Sequence, residues 1–154
     1  MTAPADQAHL TLNTGNTIPQ LGLGVFKIDD EAECERVVLD ALELGYRHID
    51  TAMIYRNEAA VGRALAQSGI PRDELFVTTK VWNSDQGKDE AAAALATSLD
   101  LLGLDYVDLY LIHWPAPSRG RYVETWLALE DLAAQGMIKA IGVSNFEPEH
   151  LEDI

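Results

Sequence analysis

"GYRHIDTAMIYRNEAAVG", residues 45–62, runs a short strand into a polar loop and then into a helix, and its reading decides the fold. Tyr46 to Ile49 reads as strand and ends on Asp50. Tyr55 follows in a short loop, and a helix-like run, "NEAAVGRALAQSG", begins at Asn57 and stops at Gly69. Strand, loop and helix in that order make the βα unit of a parallel sheet, and the carboxyl ends of such strands are where α/β proteins place chemistry.

The unit repeats along the chain. Five short apolar runs stand out: "LGLGVF" from Leu21, "YRHID" from Tyr46, "LFVTTK" from Leu75, "VDLYLIH" from Val107 and "IKAIGVS" from Ile138. Between them lie stretches with apolar residues at three and four spacing, the signature of helices. "DDEAECERVVLDALELG" opens on a cap at Asp29 or Asp30 and stops at Gly45. "DQGKDEAAAALATSLDLLG" ends at Gly103 and "RYVETWLALEDLAAQG" at Gly136. Strands that recur at roughly 30 residues with helices between them build a parallel sheet, either open and doubly wound or closed as a (β/α)8 barrel. Residues 8–20, "HLTLNTGNTIPQ" and its neighbour, differ: two extended pieces flank Asn13-Thr14-Gly15-Asn16, a hairpin ahead of the first unit.

A complete eight-unit barrel takes about 250 residues. This sequence reaches Ile154 a few residues into a fifth helix that starts around Asn145 to Pro148. The expectation is therefore a hairpin at 8–20 and βα units one to five at 21–154, about four and a half units of one incomplete domain. Bare sheet edges on such a piece invite association with another chain or a missing second half.

Composition narrows the setting. With 154 residues and 47% hydrophobic content the chain can bury a real core. No apolar run approaches the ~18 residues of a membrane span, and "MTAPADQAHL" lacks the basic-then-apolar order of a secretion leader. Cys34 is the only cysteine, which removes internal disulfides and cysteine metal clusters. A cytoplasmic protein is expected. The net charge of −14 argues against nucleic-acid or anionic-membrane partners, and 11 Lys and Arg residues leave little for gripping phosphate.

Polar residues collect at the ends of the runs: Asp50, Lys80, His113 and Ser144-Asn145. Each has a plain structural reading as well: a cap, a solvated lysine, a core histidine, and for Tyr55 a ring packed under its loop. Four strand ends delivering polar groups to one face favour a site. A tyrosine is a poor acid near neutrality, but an ammonium about 4 Å away contributes on the order of 4 kcal/mol favouring phenolate. Lys80 would play that part, with Asp50 keeping it charged and His113 donating to a substrate oxygen. Such a set suits protonation of a carbonyl oxygen as hydride arrives at carbon, which requires a nicotinamide or similar cofactor. There is no G-x-S-x-G elbow and no P-loop, "GLG" at 22–24 lacks the rest of a dinucleotide fingerprint, and His9, His48, His113 and His150 lack metal-ligand spacing, so no metal is expected.

The same residues resemble a known family. "GYRHIDTAMIYRNEAAVG" and "DLYLIHWP" are similar to the two signatures of the aldo-keto reductases, with "VTTKVW" and "IGVSNF" matching the segments around the third and fifth strands. The details "GVFKI", "TKVWNSDQG" and "LIHWPAP" resemble bacterial members of the 2,5-diketo-gluconate reductase type. The resemblance implies a (β/α)8 TIM barrel closed at its bottom by the hairpin, a monomer at full length, that reduces aldehydes or ketones such as small dicarbonyls or keto sugars with NADPH. It implies Tyr55 as general acid, Lys80 as its pKa-lowering partner, Asp50 as the residue that holds Lys80, and His113 as the group orienting the substrate carbonyl. Ser144, Asn145 and Asp50 would face the nicotinamide, and Trp82, Trp114 and Phe26 would line an apolar substrate pocket. It places the groups that grip the cofactor phosphates on later units, so residues 1–154 alone are expected to bind NADPH poorly and to reduce nothing at useful rates. Rival readings are a non-catalytic binding or regulatory subunit and a barrel isomerase or aldolase using Lys80 as a Schiff base.

Overall fold

The computed structural model describes residues 7–154; residues 1–6, on which the reading of a leaderless amino terminus partly rests, lie outside it. A hairpin comes first, β1 (His9–Thr11) paired antiparallel with β2 (Thr17–Pro19). The turn closes through Gly15 N–H on the Leu12 carbonyl and Leu12 N–H on the Asn16 carbonyl. Asn16 also donates its side-chain amide to the Lys139 carbonyl, which fastens the hairpin to the last strand.

Five parallel strands follow: β3 (Leu23–Gly24), β4 (His48–Asp50), β5 (Phe76–Val81), β6 (Val107–Ile112) and β7 (Ile138–Val143). They pair strictly in chain order, β3-β4-β5-β6-β7. The helices α1 (Glu31–Glu43), α2 (Glu58–Ser68), α3 (Lys88–Leu102) and α4 (Tyr122–Ala134) connect successive strands, and α5 (Pro148–Glu152) follows β7. A sheet whose order never reverses has no switch point, so of the two arrangements left open by the sequence this is the singly wound, barrel-type one. β3 and β7 are the edges of the described sheet.

Alternation along the strands divides the molecule into two sides. Ile49, Val77, Thr79, Val81, Tyr110 and Ile112 are fully buried beneath the helices. Their neighbours His48, Asp50, Thr78, Lys80, Leu111 and His113 point the other way, as period-two geometry requires. Burying the first set is what holds the helices down, at roughly 1.5–3 kcal/mol for each large apolar side chain.

Local sequence explains the helix limits. Asp30 caps α1, its carboxylate accepting from Glu33 N–H at 2.8 Å. Helices α2 and α3 stop at Gly69 and Gly103, each left-handed at φ 66°. Gly62 sits where α2 meets α3: an added Cβ would lie 2.5 Å from the Leu102 carbonyl oxygen, so no larger residue fits without separating the helices. Cys34 is fully buried within the core on α1, and burial raises its thiol pKa. The fifth helix begins at the late end of the stretch Asn145 to Pro148 that the sequence suggests. Its cap is Glu147, reciprocally bonded with His150, and Pro148 takes the first helical position. Among the described residues no helix is long and apolar enough to cross a membrane.

Candidate active site

Asp50 ends β4, and Lys80 lies next to last on β5, one alternation beyond Thr78, which is Asp50's register partner. That stagger lets the lysine reach back across the strand pair. Lys80 Nζ donates to Asp50 Oδ1 at 2.6 Å and to the Thr51 carbonyl at 2.8 Å. The lysine side chain is 8% exposed and the aspartate 33%, so the pair sits just under the surface of the strand-end face.

Tyr55 arrives from the following loop. Met53–Tyr55 forms a 3-10 turn, and Arg56 continues it in the left-handed conformation at φ 58°. The ring comes to rest with its centroid 5.2 Å from Lys80 Nζ, 4.9 Å from the Phe26 ring and 5.6 Å from the His113 ring. Trp82 then stands edge-on to His113 at 5.1 Å. The structure thus gathers Asp50, Lys80, Tyr55, His113, Phe26 and Trp82 at one place, from four different βα segments.

Two electrostatic results bear on the chemistry. Burial, then the charge of Lys80, lowers the His113 pKa to about 4 against a smaller opposing pull from Asp50, so the imidazole is neutral at neutral pH. Its Nδ1 is buried without a hydrogen-bond partner. Tyr55 runs against the sequence-based expectation of a pKa brought toward neutrality: burial, then the charge of Asp50, raises it. Desolvation comes first, and Lys80, engaged by Asp50 and Thr51 with its ammonium over the ring face, does not offset it.

Ser144 and Asn145 follow β7. Asn145 adopts φ 61° and donates its side-chain amide to the His113 carbonyl at 2.9 Å and to Ser144 Oγ at 3.0 Å. This ties the end of β7 to the end of β6. The apolar pocket expected of Phe26, Trp82 and Trp114 is not assembled as a whole. Phe26 is 61% exposed and Trp114 45% exposed, and Trp114 is outside the ring contacts that link the other aromatic groups. A cavity of about 440 Å³ does open beside the cluster, lined by Met53, Ile54, Arg56 and Trp82, yet Tyr55, Lys80 and His113 do not line it.

Sequence reasoning missed the buried polar residues behind this face. Asn57 and Glu58 are 2% and 1% exposed, and both open α2. Asn57 binds Thr51 and two carbonyls of the loop after β3. Glu58 accepts from Thr79 Oγ1 at 2.6 Å, and burial raises its pKa despite that bond. A polar pair directly ahead of the apolar run "AAV" was the available signal, and it reads equally well as an ordinary helix start.

A hairpin followed by singly wound βα units, with aspartate, lysine, tyrosine and histidine converging at the strand ends, defines the amino-terminal portion of an α/β barrel with a polar site at its mouth. Residues 20–154 match the profile of the aldo/keto reductase family. An aldo-keto reductase of Mycolicibacterium smegmatis is 58% identical over 143 residues, covering 93% of this chain and 52% of that protein. The crystal structure of an aldo/keto reductase from Brucella melitensis superposes with a TM-score of 0.91 at 54% identity, covering 95% of this chain and 57% of its own. That of a Bombyx mori aldo-keto reductase in complex with NADP gives a TM-score of 0.89 at 41% identity, covering 96% of this chain and 53% of its own. The chain belongs to the aldo/keto reductase family. It spans about half the length of the curated relatives it matches.

Proposed function

We propose that the protein reduces aldehydes or ketones, small dicarbonyls or keto sugars among them, to alcohols with NADPH, and that Tyr55 is the general acid. One observation carries this reading: the Lys80 ammonium, fixed between Asp50 and the Thr51 carbonyl, lies against the Tyr55 ring beside a neutral His113. NADPH, when bound, supplies the hydride. A carbonyl oxygen that gains negative charge takes the Tyr55 proton, and the phenolate left behind faces the Lys80 charge. The raised pKa of Tyr55 suits this order of events, because the phenol keeps its proton until an oxyanion develops nearby. His113, with Nδ1 buried, offers its other ring nitrogen to the substrate oxygen. Phe26 and Trp82, whose rings contact those of Tyr55 and His113, would flank the substrate.

The residues present fit the nicotinamide end of the cofactor. Asn145 is held at the mouth by its bonds to the His113 carbonyl and Ser144 Oγ, and Asp50 lies on the same face, so these three would hold the carboxamide side. The phosphate end fits less well. Among the described residues Arg36, Arg63, Arg72, Lys80, Lys88 and Arg121 are taken up in ion pairs, and the other cations, Lys27, Arg47, Arg56, Arg119 and Lys139, lie on five separate segments of the chain. We infer weak NADPH binding by residues 1–154, and tight binding in a fluorescence titration of the verified monomer would overturn it.

The Schiff-base reading is less favoured, since Lys80 already directs N–H donors at Asp50 and Thr51. Borohydride trapping with substrate separates the two. The direct test of the reductase reading is loss of NADPH absorbance with methylglyoxal or a diketone, catalysed by the protein carrying the remaining units, compared with Tyr55→Phe. Turnover untouched by that substitution removes Tyr55 as the acid.

A further inference from the structure

Asn57 is 2% exposed and occupies the cap position of α2, yet its side chain makes no cap bond there. It turns backward instead. Its amide nitrogen donates to the Val25 carbonyl at 2.9 Å and the Ile28 carbonyl at 3.3 Å, and its amide oxygen accepts from Thr51 Oγ1 at 2.8 Å. Those partners belong to separate pieces of the site. Val25 and Ile28 bracket Phe26, the ring 4.9 Å from Tyr55, while Thr51 supplies the carbonyl that holds Lys80 at 2.8 Å. Between Tyr55 and Asn57 stands Arg56 at φ 58°, a backbone state that a residue with a Cβ keeps only where its surroundings impose it. Glu58, next in sequence, anchors the other side of the turn to Thr79, the residue before Lys80.

We propose that Asn57, acting through Thr51, is a positioning residue that aims Tyr55 at Lys80. The inference deepens the reductase reading, since it assigns the residue that holds the proposed acid in place. The chemistry of the position requires an amide. Aspartate could accept from Thr51 but would meet two carbonyl oxygens with no proton to share, and alanine would remove all three bonds, leaving the Val25 carbonyl only the Ile28 N–H.

The test reads Tyr55 itself in the 154-residue chain, by tyrosine ring carbon–proton NMR, with the Tyr55 signal assigned through its loss in Tyr55→Phe. In the folded chain that signal is displaced by the rings of Phe26 and His113. In Asn57→Ala it moves toward the position of an unstructured tyrosine, while the signal of Tyr106, at the far end of the sheet, stays in place. Thr51→Val removes a single bond and produces a smaller movement in the same direction, and Thr51→Ser restores the wild-type position. Should Asn57→Ala fail to fold, the Thr51 pair decides alone. A Tyr55 signal unmoved in a folded Asn57→Ala chain, or in Thr51→Val where only that variant folds, overturns the proposal and leaves Asn57 a purely structural residue. In an active form, Asn57→Ala lowers kcat on the order of 10- to 100-fold with little change in KM. The NMR outcome is independent of turnover, so failure of the reductase reading leaves the positioning result standing, and the reverse holds as well.

Discussion

The turns from each helix into the next strand place glycine at their left-handed positions, Gly45, Gly69, Gly103 and Gly136. The loops from each strand into the next helix behave differently. There the left-handed backbone falls on Lys27, Arg56, Ala116 and Asn145, with φ of 63°, 58°, 44° and 61°, alongside Gly87 and Gly120. Glycine pays no steric penalty in this region, and residues with a Cβ do. The end of the sheet that carries Tyr55, Lys80 and His113 therefore holds strain that the opposite end avoids. The ion pairs at the two ends of β5 show the same contrast. At the amino end Arg72 meets Asp108 at 2.7 Å, and Asp108 also accepts from Val77 N–H at 2.8 Å while Arg72 covers the Tyr106 ring at 4.0 Å. At the carboxyl end Lys80 meets Asp50 at 2.6 Å beside a histidine kept neutral and a tyrosine kept protonated. A close ion pair with a histidine lowered by burial nearby is common to both ends, His48 at the amino end and His113 at the carboxyl end; a tyrosine ring packed on that histidine is found at one.

That contrast can be broken by experiment. The largest effect belongs to Tyr55→Phe, which lowers carbonyl turnover about 100- to 10,000-fold in an active form, while Tyr106→Phe at the amino end leaves it unchanged. Equal losses in the two variants would erase the distinction between the ends.

Next in size is Asp108→Ala, which strands Arg72 and Val77 N–H and destabilises the fold by about 3 kcal/mol in urea unfolding. The Tyr55 and His113 NMR signals of the folded fraction stay where they were. Movement of both signals would couple the two ends.

The third prediction concerns acid. The folded pKa of His113 is about 4, below its ordinary 6.5, so between those values the unfolded chain binds the extra proton and stability falls as pH falls. Glu58 acts in the opposite sense, because its raised pKa makes the folded chain the better proton binder above 4.5. Wild type against His113→Asn isolates the histidine. The variant lacks that loss of about 2 kcal/mol between pH 6.5 and 4, after allowance for residual solvent screening. Parallel stability–pH curves would contradict a neutral, desolvated His113.

Smallest is the backbone itself. Gly69→Ala, where nothing lies within 4 Å of the added Cβ, destabilises by about 1 kcal/mol through φ alone. Arg56→Gly relieves the same penalty at the other end and stabilises by up to about 1 kcal/mol. Two changes of like sign would show that the left-handed residues of the strand-end loops are not strained.

Much of this arrangement is legible in the sequence. The runs beginning at Val107 and Ile138 start where β6 and β7 start, and the one from Leu75 begins a single residue ahead of β5, because long buried strands announce themselves by apolar and β-branched residues. "LGLGVF" shrinks to Leu23–Gly24, since β3 is an edge with one neighbour to pair with. Asp50, Lys80, Tyr55 and His113 do converge, as residues at matching strand ends must. What stayed hidden depends on distances that no periodicity encodes. Asn57 makes its bonds to Val25 and Ile28 across some thirty residues of chain, and the direction of the Tyr55 shift turns on how deeply the fold buries the phenol and then on the charge of Asp50. Trp114 sits just past a strand end like Trp82, yet it stays half exposed, which strand position alone could not tell.

NADPH titrated into the 154-residue chain, followed by NMR signals of Tyr55, His113 and Tyr106, tests the central assignment most directly. The account predicts that Tyr55 and His113 shift together along one weak binding curve while Tyr106 does not respond. Shifts at Tyr106 with Tyr55 and His113 unmoved would contradict it.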